Sequence, residues 1–184
     1  MNYRTRHLVL SGIFIALGIL LPFILHSIPN GGKIFLPMHL PVLALSFFVS
    51  WPWALAVGAL TPLLSSLLTG MPPMTPFPMA IIMSFELATY GLIISLLRKK
   101  AVKRERWYSP LLALAPALVL GRVVAGIVLW GAVSAFGVKG PAPWVFVSGG
   151  IITGLPGIIV QIILVPLLYH VLVRNLPGWR EALR

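Results

Sequence analysis

The chain contains no cysteine and no aspartate, and only three glutamates among its 184 residues. The absence of cysteine excludes disulfides, thiolate catalysis, Cys-ligated zinc and palmitoylation, and leaves the redox compartment unmarked. The absence of aspartate excludes paired-Asp proteolysis, DxxD metal sites and Asp-based phosphoryl transfer. The histidines, His7, His26, His39 and His170, form no HExxH pattern. A Walker A loop is also missing, because Gly32-Lys33 lacks both the upstream glycine and the following hydroxyl. No catalytic constellation is left, so neither an enzyme nor a resident cofactor or metal is expected.

Charge is scarce as well. Only 9% of residues are charged and 59% are hydrophobic, whereas a soluble domain carries about a quarter charged residues. Apolar runs recur at 8–28, 36–49, 53–68, 79–97, 111–136 and 145–173, against about 20 residues needed to span roughly 30 Å of hydrocarbon. The expected fold is an all-α integral membrane protein, a six-helix transmembrane bundle forming one domain over 1–184. The second and third runs are short and share the Trp51-Pro52-Trp53 turn, so a re-entrant hairpin is the alternative there. The first run ends at His26-Ser27-Ile28-Pro29 without an A-x-A-like cleavage site, and reads as a retained helix rather than a signal peptide.

A net charge of +11 suggests nucleic acid until the positions are considered. Eleven of the fourteen basic residues fall on one side of a six-crossing layout: Arg4 and Arg6, the cluster Arg98, Lys99, Lys100, Lys103, Arg104 and Arg106, then Arg174, Arg180 and Arg184. The positive-inside rule then puts both termini in the cytoplasm. The cluster reads as a topology signal and an anchor on the lipid bilayer, with no nucleic-acid partner. His7 and His170 lie at the same boundary as interfacial residues. On the outer side, proline and glycine concentrate in three loops, 29–33, 70–78 and 137–144, placed to cover one external pocket. Gly31-Gly32 in the first suits a lid that opens and closes. Pro22, Pro41, Pro62, Pro116, Pro156 and Pro166 kink their runs, and bent helices leave cavities. The glycines of 149–154 lie within a run, where they allow close helix contact.

Against this background Glu86 stands alone in an uncharged run, where a carboxylate costs several kcal/mol unless paired. The following run contains one charge, Arg122, and the last contains Gln161. Counted from the basic face, the three lie at about the same depth, roughly 18–20 Å in. Two readings of Glu86 and Arg122 stay open: a buried pair that fixes helix register, or, with Gln161 and His39, the polar floor of an outward pocket. Asn30 and Lys33 in the first loop, and Trp130 and Trp144 near the third, complete the candidate substrate-binding set, the tryptophans as stacking walls or interfacial anchors.

From Lys33-Ile34-Phe35-Leu36-Pro37-Met38-His39-Leu40-Pro41-Val42, through Thr61-Pro62-Leu63-Leu64-Ser65-Ser66-Leu67-Leu68-Thr69-Gly70-Met71-Pro72-Pro73, to Phe85-Glu86-Leu87-Ala88-Thr89-Tyr90-Gly91, the chain resembles the substrate-binding S component of energy-coupling factor (ECF) vitamin transporters. That resemblance implies a protein of the bacterial plasma membrane that captures a vitamin outside. It also implies delivery with an ECF transmembrane scaffold subunit and two cytoplasmic ATPases, which accounts for the missing Walker motif. A pantothenate- or pyridoxine-like ligand is preferred. The family's small-residue docking pattern on the first helix corresponds here to Gly12 and Ala16, a GxxxA variant. A longer ladder, Ala113, Ala117, Gly121 and Ala125, suits either docking or internal packing. The competing class is a structural membrane scaffold that assembles other membrane proteins, and it has no need of a polar level beneath Gly/Pro-rich loops.

Overall fold

The structure is a computed structural model, and it describes residues 2–25, 30–103 and 108–175. Pro29 of the first outer loop and Arg104, Arg106, Arg180 and Arg184 of the basic face lie outside the described residues. Helix is the only regular structure among those described. Among the described residues five helices are long and apolar enough to cross a membrane: α1 (Tyr3–Leu25), α4 (Trp51–Thr69), α5 (Met79–Lys103), α6 (Leu111–Phe136) and α7 (Pro143–Asn175). Their outward faces expose Phe23, Leu67, Val119 and Ile152, side chains that lipid solvates and water does not. Local chemistry sets the helix ends. Pro52 occupies the first turn of α4 behind Ser50, and Gly70 closes the helix with φ 75. Gly137 closes α6 in the same left-handed manner, with φ 63.

The second apolar run forms a broken crossing rather than one helix. A short α2 (Gly31–Phe35) precedes it and α3 (His39–Ser46) forms its centre. Pro37 disfavours a helical Leu36, and Leu36 turns left-handed at φ 48. That conformation costs a non-glycine residue ~1–2 kcal/mol, and the Leu36 side chain is lodged against Gly154 of α7. The interruption is tolerated because protein surrounds it: all of α3 except Leu40 is buried. Its far end is closed from α5. Ser95 Oγ donates to the Val49 carbonyl at 2.9 Å and the Arg98 guanidinium donates to the same oxygen at 2.6 Å. The segment therefore runs from the level of Glu86 to the level of Arg98, a traverse and not a re-entrant turn.

Ring contacts gather the other ends at that face. His7 stacks on Trp53 with centroids 6.2 Å apart, and Tyr169 packs on Phe47 and Phe48 at 5.3 and 6.0 Å. The start of α1, the end of α3, the start of α4 and the end of α7 share one face with Arg98. Arg4 and Arg6 are there too, so the described start of α1 and end of α7 both meet the basic face.

Small residues bring the central helices together. A Cβ on Gly58 would meet the backbone of Leu87, and one on Gly91 would meet the backbone of Ala54, so α4 and α5 touch main chain to main chain at two successive turns. The ladder Ala113, Ala117, Gly121 and Ala125 is buried. It serves internal packing: Gly121 leaves room for the ring of Tyr90 on α5.

Candidate functional site

One face of α5 carries Met79, Met83, Glu86 and Tyr90, spaced by three or four residues so that they stack along a single stripe. Glu86 is 1% exposed, although it carries a carboxylate inside a membrane helix. Its Oε1 atom collects the neighbours. Arg122 Nη1 of α6 lies 3.1 Å away, and the Tyr90 hydroxyl, one turn along α5, donates to it at 2.5 Å. His39 Nε2 of α3 stands 3.8 Å from the same oxygen, outside hydrogen-bond range, with its ring tilted against Tyr90 at a centroid distance of 5.7 Å. Neither His39 ring nitrogen has a hydrogen-bond partner among the described residues. Three helices thus deliver a cation, a phenol and an imidazole to one carboxylate, and Glu86 Oε2 accepts no hydrogen bond among the described residues.

The group borders a cavity of about 520 Å³ on the side of that level away from the basic face. Residues 30–33 and 36–39 form one wall and the turn 71–73 another, with Pro22, Met79, Met83, Glu86 and Arg122 completing it. Such a volume fits a small ligand, and the mixture of apolar wall with a few polar groups is that of a binding pocket. The first loop shapes its wall through backbone geometry. Gly31 and Gly32 are both helical, in α2, and the left-handed positions fall on the flanking Asn30 and Leu36. The lid expected of Gly31-Gly32 is thus a helical turn between two bends. Gly157 of α7 provides the seat for it: a Cβ there would strike the backbone of Phe35 and Ile34.

Of the expected substrate-binding residues, Asn30, Lys33, His39, Glu86 and Arg122 come together around this cavity. Gln161 does not line it. The residue is 1% exposed, its amide has no hydrogen-bond partner among the described residues, and it lies one turn from Gly157 and one from the buried Val165. Trp130 and Trp144 are 62% and 74% exposed, and they border a separate apolar groove between α6 and α7. The third outer loop likewise stands apart from the cavity, with Gly140 against the Phe77 ring. Tyr90 escaped the sequence reading; its signal was the spacing of four residues from Glu86, which puts a phenol directly over a carboxylate on one helix face. On α1, Gly12 and Ala16 are exposed, and nothing lies within 4 Å of where a Gly12 Cβ would stand.

Fold and site together define a multi-pass helical membrane protein with a largely apolar cavity, carrying a few charged groups, on the side opposite its basic face. The family model described as ECF transporter, substrate-specific component, matches residues 6–169. The chain belongs to that family, whose members are substrate-binding subunits of transporters. No curated protein and no solved structure matches it.

Proposed function

We propose that the cavity captures a small water-soluble vitamin at the outer face of a bacterial plasma membrane. The whole chain, as one domain, then delivers it across with an ECF transmembrane scaffold subunit and two cytoplasmic ATPases. Asn30, Lys33, His39, Glu86 and Arg122 are the ligand-facing residues in this reading, and pantothenate- or pyridoxine-like molecules are the preferred ligands. The observation that carries it is the position of the Glu86–Arg122 pair. A pair serving helix register alone could be sealed between helices, yet both residues border the 520 Å³ cavity. A membrane scaffold gains nothing from charges at such a place, where burial is costly. Gly12 and Ala16, exposed on α1, support a docking face for the scaffold subunit, since small residues four apart admit a second helix closely.

The test is mass spectrometry of small molecules retained by the purified full chain, alongside calorimetric titration with each water-soluble vitamin. One vitamin should bind saturably to the wild type and weakly to Glu86→Ala. Equal binding by both proteins would place the ligand elsewhere.

A further inference from the structure

We propose that the ligand is a small anion, a carboxylate-bearing molecule whose charged end lies between Lys33 and Arg122; this rests on the reading of the cavity as the vitamin site. The charges bordering the cavity are Lys33 and Arg122 against Glu86, an excess of one positive charge before His39 is considered. The single carboxylate is already engaged. Arg122 and the Tyr90 hydroxyl both meet it at Oε1, so little of its charge is left for a cationic ligand. Lys33 has no carboxylate partner among the described residues. Much of the remaining lining is methionine and proline, which cannot compensate a cation. An anion entering this space relieves the excess, whereas a cation adds to it, and the poorly solvated wall magnifies both effects.

The same geometry gives the ligand a second requirement. Arg122 meets Glu86 through Nη1, and its other guanidinium N–H groups supply the fork that carboxylates bind. Glu86 Oε2 is an acceptor without a hydrogen bond among the described residues, so a hydroxyl or amide N–H beside the ligand's carboxylate finds its partner there. The preferred molecule therefore combines an anionic group with a neutral donor at a short distance.

The experiment titrates the full chain in detergent with vitamins sorted by charge at neutral pH. The carboxylates are pantothenate, nicotinate and biotin, the uncharged molecules pyridoxine and riboflavin, and the cation thiamine. A carboxylate should bind best, and its affinity should fall as salt is raised. Lys33→Gln should weaken it about tenfold, while Lys33→Arg restores most of the loss. Lys33 is exposed at the cavity edge, so both variants should keep the wild-type melting temperature. Preference for an uncharged or cationic vitamin overturns the anion assignment and leaves vitamin capture standing. Carboxylate binding unaffected by Lys33→Gln removes Lys33 from the site and overturns the assignment of the charged end. If no water-soluble vitamin binds, the reading of the cavity falls, and this inference with it.

Discussion

Removing Arg122 is the most informative perturbation, because it separates what the ion pair does for folding from what it does for binding. Arg122→Ala leaves the Glu86 carboxylate 1% exposed with only Tyr90 donating to it and His39 at 3.8 Å. Breaking a buried pair by deleting one partner costs about 3–5 kcal/mol. For a chain of this size each kcal/mol corresponds to about 2–4 °C in melting temperature, so the variant should melt roughly 6–20 °C lower. The double variant Glu86→Gln with Arg122→Met removes both charges while nearly conserving volume, and should recover most of that loss, since apolar replacements of buried pairs are often neutral or stabilising. Ligand affinity should not recover, because the groups facing the cavity are gone. Thermal unfolding in detergent and calorimetric titration read the two quantities separately. An Arg122→Ala protein that melts like the wild type refutes the pairing argument. A double variant that binds as the wild type does refutes the site.

A Cβ at Gly32 would meet nothing within 4 Å, so Gly32→Val should fold normally; if α2 moves over the cavity, stopped-flow binding will show slower association and dissociation, and unchanged rates will exclude the movement. Ala16→Trp adds bulk to an exposed face of α1, so vitamin affinity should persist while pull-down of the scaffold subunit and uptake are lost; loss of affinity as well would mean that Ala16 packs the bundle. Gly91→Ala drives a methyl into the Ala54 backbone and should destabilise the chain by about 1–3 kcal/mol, measured as a lower melting temperature; a neutral result would show that α4 and α5 separate easily.

Depth along the membrane was legible in the sequence and direction around each helix was not. A lone charge in an apolar run has to be paired, so counting residues from the basic face was enough to bring Glu86 and Arg122 to one level. Gln161 illustrates the limit: it is buried, as its polarity demands, yet it does not line the cavity, because residue counts fix height and leave rotation about the axis and the placing of neighbouring segments open. Trp130 and Trp144 fail for a related reason. Cavity wall and lipid are both apolar, so an aromatic side chain suits either, and in this chain they lie on the outer surface. The crossings were visible from hydropathy, but the break in the second one rests on Leu36 adopting a left-handed conformation before Pro37, a local choice decided by the seat that Gly154 and Gly157 provide on a distant helix.

The two donors on the Val49 carbonyl have a consequence for the order in which the protein is made. Fourteen residues, 36–49, form the second apolar run; even as a continuous helix they would reach only about 21 Å, short of the roughly 30 Å of hydrocarbon. In lipid each open carbonyl costs several kcal/mol, and the groups that close this one come 46 and 49 residues later in the chain. Until Ser95 and Arg98 have been made, the second segment lacks both of these donors. Insertion of this segment should therefore be completed only once the Arg98 end of α5 has emerged. The cavity wall built from residues 36–39 should settle at that stage, which makes the candidate site a late product of synthesis although much of its sequence is early.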